Sequence, residues 1–103
     1  MGAELFFTMS SGRHADEAFE EARRRARYDH GHSGQTGTIN EKSEFTVIPV
    51  PDGTESFHKF ANELIDNCDP RVDDKWGPAG CIETGVDGEM NRKLFLFFGW
   101  ASS

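Results

Sequence analysis

The strongest constraint on the fold is the longest apolar run of the chain, Leu-Phe-Leu-Phe-Phe over residues 94–98. A strand in which apolar residues do not alternate with polar ones is buried on both faces. We therefore expect a strand over residues 93–100 in the interior of a sheet. The run is far shorter than the roughly 20 apolar residues of a membrane-spanning helix, so the sequence predicts no association with a membrane.

Two further apolar periodicities predict helices. Small and apolar residues at helical spacing predict one helix over residues 15–28, and a stripe from Phe57 to Cys68, with Thr54 as N-cap, predicts a second. Short apolar runs predict the remaining strands, at residues 4–9, 37–39, 44–50 and 81–84. The second and third of these are expected to pair as a hairpin.

The resulting order, β-α-β-β-α-β-β, favours an α+β fold because it contains no regular alternation of strand and helix. We expect a two-layer sandwich in which a largely antiparallel sheet carries two helices on one face, a variant of the ferredoxin-like arrangement. A chain of 103 residues is long enough for one hydrophobic core and too short for two. We therefore expect a single domain over residues 1–103.

The charge of the chain restricts its partners. A formal net charge of −7 repels nucleic-acid backbones at long range, so general nucleic-acid binding is disfavoured. The acidic surface either serves solubility or helps the protein occupy a basic groove of a partner, and the sequence leaves both open. Without a recognisable targeting signal, we interpret Cys68 and Cys81 as reduced thiols and expect a cytoplasmic protein.

A glycine-rich loop after the first helix contains the polar residues His30, His32, Ser33 and Gln35. Histidines two residues apart on an extended segment could share a metal ion, but two ligands do not complete a site, and we expect no metal and no cofactor. These side chains are not needed for a core. We therefore predict that they contact a partner or ligand outside the domain.

Ser11 and Arg13 lie between the first strand and the first helix. Free backbone N–H groups at a helix N-terminus, with a hydroxyl and a guanidinium, could hold a phosphate or carboxylate. Serines at such positions more often cap the helix. We keep both interpretations, because an anion site here would indicate a small ligand-binding protein or enzyme.

Trp76 and Trp100 each lie next to a glycine, where a backbone or a ligand can approach closely. Either ring could fill the core of a small sheet protein. An exposed ring would instead indicate a recognition surface, because tryptophan is enriched among the residues that dominate protein interfaces. The core interpretation is the simpler one, and Trp76 remains a candidate contact residue.

Three segments together resemble small uncharacterised accessory proteins carried by bacteria and their phages. They are Tyr-Asp-His-Gly-His-Ser-Gly-Gln-Thr-Gly-Thr-Ile-Asn-Glu-Lys over residues 28–42, Trp-Gly-Pro-Ala-Gly over residues 76–80 and Phe-Phe-Gly-Trp over residues 97–100. The resemblance implies a protein that binds and blocks a host or defence component, in the host cytoplasm if it is phage-encoded. It implies no catalytic residues.

The leading functional hypothesis is a non-enzymatic binding module with a protein partner. The competing hypothesis is a small ligand-binding protein or enzyme that uses His30 and His32 with Ser11 and Arg13 around an anionic, phosphate-bearing molecule. We assign no catalytic residue. A homodimer is compatible with both hypotheses.

Overall fold

The computed structural model describes residues 2–30 and 36–103, and within these ranges the chain forms four strands and two α-helices. The strands are β1 (Ala3–Gly12), β2 (Phe45–Val47), β3 (Ala79–Asp87) and β4 (Arg92–Ser102). The helices are α1 (Ala15–His30) and α2 (Phe57–Asp66), and a 3-10 helix covers Ile39–Glu41. The expected α+β class is confirmed.

In the part of the chain that the structure describes, the strands form one mixed sheet in the order β1-β4-β3-β2. Strand β4 pairs antiparallel with β1 and with β3, whereas β2 and β3 are parallel. Phe97 and Phe98, neighbours on β4, are both fully buried. The prediction of an interior strand buried on both faces is therefore confirmed.

The two helices cover opposite faces of this sheet. Successive side chains of a strand point to opposite faces. Phe97 belongs to a core cluster with Phe19 of α1, and Phe98 belongs to a second cluster with Ile65 of α2. The expected two-layer sandwich with both helices on one face is therefore wrong. Because both faces of β4 are apolar, each of them needs a helix to exclude water.

The expected hairpin between residues 37–39 and 44–50 does not form. Ile39 lies in the 3-10 helix, where the Thr38 hydroxyl accepts the Asn40 N–H at 3.3 Å and caps the turn. Strand β2 pairs instead with β3, to which it is connected through α2. Within residues 2–30 and 36–103 there is thus one strand fewer than expected, and the strand order differs from the expected ferredoxin-like variant.

The ends of α2 are set by local hydrogen bonds. The Ser56 hydroxyl accepts the Lys59 N–H at 3.2 Å, so Ser56 is the N-cap in place of Thr54. At the other end Asp69 N–H donates to Leu64 O and Cys68 N–H to Ile65 O, the pattern of a Schellman motif. Neither helix within residues 2–30 and 36–103 has the length and apolar character to cross a membrane.

Candidate functional site

Trp76 lies at the tip of a tight turn between α2 and β3. The Gly77 N–H donates to Asp74 O at 3.0 Å, and the Trp76 N–H donates to the Asp74 carboxylate at 2.9 Å. These two bonds fix the backbone that carries the indole. The ring itself is 71% exposed. The simpler interpretation of Trp76 as a core residue is therefore wrong, and we call residues 74–77 the Trp76 turn.

The buried side chain of Lys42 is hydrogen-bonded to the backbone of the Trp76 turn. The Lys42 ammonium donates to the backbone carbonyls of Asp74 at 3.2 Å, Lys75 at 3.1 Å and Gly77 at 2.9 Å. An ammonium has three N–H donors, so these acceptors satisfy all of them. Lys42 is only 1% exposed, and burial lowers its pKa, an effect that the nearby Asp74 carboxylate opposes. One side chain thus fixes three carbonyls around the indole.

The segment that leads from α2 to the Trp76 turn is anchored as well. The Arg71 guanidinium binds both oxygens of the Asp69 carboxylate at 2.9 Å, and this pairing lowers the pKa of Asp69 to about 2. The next side chain, Val72, is buried in the α2 core cluster. Trp76 is therefore presented on a preorganised segment, which reduces the entropy lost when a partner orders the loop.

The surroundings of Trp76 combine charge with an exposed ring. Lys75 Nζ lies 5.2 Å from the centroid of the Trp76 ring and donates to Gly2 O at 3.1 Å. The carboxylates of Asp73 and Asp74 belong to exposed residues on the same segment. The ring therefore lies among mixed charges, one ammonium and two carboxylates, and fits a partner surface that combines an apolar pocket with charged groups.

The other candidate residues are not gathered around Trp76. Ser11 lies near the end of β1 and Arg13 follows that strand, whereas the Lys75 bond to Gly2 places the Trp76 turn near the start of β1. At about 3.3 Å per residue these ends are roughly 30 Å apart. The candidate contact residues therefore do not form one continuous site.

The Ser11–Arg13 turn carries acidic groups of its own. The Glu17 carboxylate lies 3.5 Å from the Arg13 guanidinium and accepts the Arg13 N–H at 3.4 Å. Asp16 lies beside it in the first turn of α1. Carboxylates at a helix N-terminus already provide the negative charge that a bound anion would supply.

The glycine-rich loop lies largely outside the described residues. His32, Ser33 and Gln35 are among residues 31–35, and of His30 the structure describes the backbone, which forms the last residue of α1. The prediction that these side chains contact a partner therefore stays a prediction. Among the described residues, no group of three or more His, Cys, Asp or Glu side chains could hold a metal ion.

Trp100 and the two cysteines differ in how far they are exposed to solvent. Trp100 packs against the α2 core cluster, as expected for a core ring. Both thiols are free. Cys81 is buried, and desolvation raises its pKa to about 12, so it is not a reactive nucleophile. Cys68 was expected in the apolar stripe of α2, but it is exposed and follows the helix, because the chain turns there with a φ of 54°.

The structure thus defines an α+β protein with a mixed four-stranded sheet, counted over the described ranges, and with an exposed tryptophan on a hydrogen-bonded turn. No protein-family model, curated protein or solved structure matches the chain.

The residue that sequence reasoning missed is Lys42. Its sequence context, Asn-Glu-Lys-Ser over residues 40–43, is typical of a solvated loop. The carbonyls that bind it lie 32 to 35 residues further along the chain. No local pattern can report such a distant set of partners.

Proposed function

We propose that this protein is a non-enzymatic binding module that acts by occupying the surface of a partner protein. The observation that carries the proposal is the Trp76 indole, 71% exposed on a turn whose carbonyls are held by buried Lys42. Because the backbone of this turn is already fixed, less entropy is lost when a partner contacts the ring, which favours recognition. The net charge of −7, to which Asp73 and Asp74 of the same segment contribute, supports a partner with a basic surface.

The resemblance to bacterial and phage accessory proteins supports a more specific form of the proposal. In that form the protein is a phage-encoded inhibitor that blocks a host or defence protein. It would act in the host cytoplasm, and the free thiols Cys68 and Cys81 are compatible with a reducing compartment. The net charge of −7 again favours a basic partner surface over nucleic acid.

The competing function, binding of or catalysis on a phosphate-bearing molecule at His30, His32, Ser11 and Arg13, has weaker support. The Arg13 guanidinium is paired with Glu17. An anion at this helix N-terminus would also meet the acidic first turn of α1. We therefore favour the binding module.

The test uses two exposed aromatic residues in a matched pair of variants. Trp76→Ala removes the presented ring, and Tyr28→Ala removes a ring that is 91% exposed on α1. Both variants should keep the wild-type unfolding free energy within about 0.5 kcal/mol, because neither ring is part of the core. Proteins that the wild-type protein captures from host lysate are identified and purified, and their binding to each variant is measured by calorimetry.

Trp76→Ala should weaken the purified complex at least about tenfold, whereas Tyr28→Ala should leave its Kd within about twofold. Equal affinity of wild type and Trp76→Ala for every purified partner would refute the Trp76 turn as the contact. Light scattering on the free protein separates a heteromeric partner from a homodimer, since a dimer that Trp76→Ala dissociates would identify a second copy as the partner.

A further inference from the structure

A groove of about 580 Å³ lies at the far end of β1 from the Trp76 turn. Three arginines, Arg24 and Arg25 of α1 and Arg92 of β4, line it together. Such a concentration of guanidinium groups is unexpected in a chain of net charge −7. The groove takes no part in the function proposed above, and its chemistry is that of an anion site.

Two of these arginines are fixed to the open edge of the sheet. The Ser103 N–H donates to Gly2 O at 3.3 Å, and this bond shows which residues of β1 direct their backbone groups toward β4. Even-numbered residues of β1 therefore bond to β4, and odd-numbered carbonyls point outward. Arg25 donates to the outward carbonyl of Met9 at 2.6 Å and Arg92 to that of Ser11 at 3.1 Å.

These bonds place each guanidinium within hydrogen-bond distance of its own carbonyl. The Met9 and Ser11 carbonyls are two residues apart on one strand, hence about 7 Å apart. One carboxylate or phosphate that accepts an N–H···O bond of about 2.9 Å from each group spans a comparable distance. A guanidinium has five N–H donors, and the Met9 bond uses one of those of Arg25.

The acidic residues of the groove are engaged elsewhere. The Glu21 carboxylate pairs with Arg24, which lowers the pKa of Glu21. The Asp87 carboxylate accepts the backbone N–H groups of Glu89 and Met90 in the turn between β3 and β4. Both carboxylates line the groove, and after the Arg24 pairing the charges of Arg25 and Arg92 also contribute to the lowered pKa of Glu21. Glu17 of α1 lies outside the groove lining and accepts an N–H of Arg92 at 3.4 Å, so a ligand at Arg92 shares that guanidinium with Glu17.

The rest of the lining consists of Ser10 and Ser11 and of an apolar surface. Met9 is 44% exposed and Met90 is 63% exposed, and Leu94 lies beside them in the groove. Methionine side chains adapt to irregular apolar partners. A ligand with an apolar body next to its charged group would cover this surface.

We propose that the groove binds a small organic oxyanion, a carboxylate or a phosphate ester, whose charged group is held between Arg25 and Arg92 and whose apolar part lies on Met9, Met90 and Leu94. Arg24 stands at the rim. The acidic remainder of the protein repels a polyanion at long range, so a small ligand is favoured over a nucleic acid.

The experiment is an NMR titration of the full, isotope-labelled chain at low ionic strength, with inorganic phosphate and with hexanoate as separate probes. Backbone amide shifts report the site, and melting temperatures verify that each variant is folded. The variants are Arg25→Gln and Arg92→Gln. The matched control is Arg13→Gln, which changes an exposed arginine outside the groove that also pairs with Glu17.

We expect saturable shifts at Met9, Ser11 and Leu94, at least about tenfold weaker binding in both groove variants, and a Kd within about twofold of wild type in the control. Saturation by phosphate alone identifies a phosphate ligand, and saturation by hexanoate alone identifies a carboxylate with an apolar chain. If Arg92→Gln does not fold, Arg25→Gln still tests the proposal, because Arg25 is exposed and its replacement leaves the core intact.

Two results would overturn the proposal. One is the absence of a saturable shift with either probe up to about 50 mM, beyond which a site has no useful affinity. The other is an equal loss of binding in Arg13→Gln, which would place the anion at the Ser11–Arg13 turn instead.

Discussion

Replacing Lys42 by methionine tests the link between the core and the presented tryptophan. Methionine has a similar length and no N–H group, so the substitution removes three hydrogen bonds and adds no bulk. The bonds to the Asp74, Lys75 and Gly77 carbonyls measure 3.2, 3.1 and 2.9 Å. Each carbonyl then needs a new donor or remains unsatisfied.

The expected loss of stability follows from the surroundings. A buried carbonyl that loses its donor and stays dry costs about 1–3 kcal/mol. Asp74 and Trp76 are exposed, however, so the turn can rearrange and expose its carbonyls to water. The methionine also avoids the desolvation of an ammonium. We therefore expect Lys42→Met to lower the unfolding free energy by about 2–3 kcal/mol.

Urea denaturation measures this loss, and Lys59→Met, a change at an exposed lysine of α2, is the matched control with an expected effect within about 0.5 kcal/mol. In a Trp100→Phe background, fluorescence anisotropy of the remaining Trp76 should fall in Lys42→Met, because the turn loses its anchor. A midpoint and an anisotropy equal to those of wild type would refute the role of Lys42.

The same variant has a distinct pH dependence. Burial lowers the pKa of Lys42 below 10.5, its value in an unfolded chain. Between the folded pKa and 10.5 the unfolded state binds more protons, so this group makes stability rise with pH. The stability of wild type relative to Lys42→Met should therefore increase toward pH 10.5. A constant difference over that range would contradict burial of the ammonium.

Substitutions at four further residues test other parts of the fold. Cys68→Gly should stabilise the protein by about 0.5–1.5 kcal/mol in urea denaturation, because φ is 54° there, whereas Cys68→Ala should not. Burial raises the pKa of Cys81 from 9.0 to about 12, so the stability that the protonated thiol contributes is complete below pH 9 and is lost as the pH rises from there. Thermal melts of Cys81→Ala should therefore show a smaller alkaline loss of stability than wild type, by at most about 1.4 kcal/mol per pH unit. Within the described residues the buried Ser10 hydroxyl has no hydrogen-bond partner, so Ser10→Ala should raise the unfolding free energy by about 1 kcal/mol. Ser56→Ala removes the N-cap of α2 and should lower the unfolding free energy by about 1 kcal/mol.

Local periodicity predicted which segments become regular structure where one face must be buried. The helix expected over residues 15–28 is α1, extended to His30. The run over residues 94–98 predicted a strand covered on both sides, and β4 is such a strand. The apolar stripe from Phe57 predicted α2, although the capping residue is Ser56 and the helix ends at Asp66.

The pairing of elements was not predictable in this way. A short apolar run such as residues 44–50 pairs equally well with a neighbour in sequence or with a distant strand, and the structure selects β3 in parallel register. Residues 37–39 do not pair with β2, because Thr38 caps the 3-10 helix that contains Ile39. Likewise, the amphipathic pattern of a helix shows that one face is buried but does not show which side of the sheet it covers.

The sequence by itself therefore determined the class of fold, the interior strand and the acidic surface, because each depends on composition or on spacing within a few residues. Tertiary structure alone decided that Trp76 is presented and that Arg25 and Arg92 meet at the edge of β1. Lys42 reaches carbonyls more than 30 residues away, and Arg92 reaches a carbonyl 81 residues away. Contacts over such separations exist only once the sheet has brought the ends of its strands together.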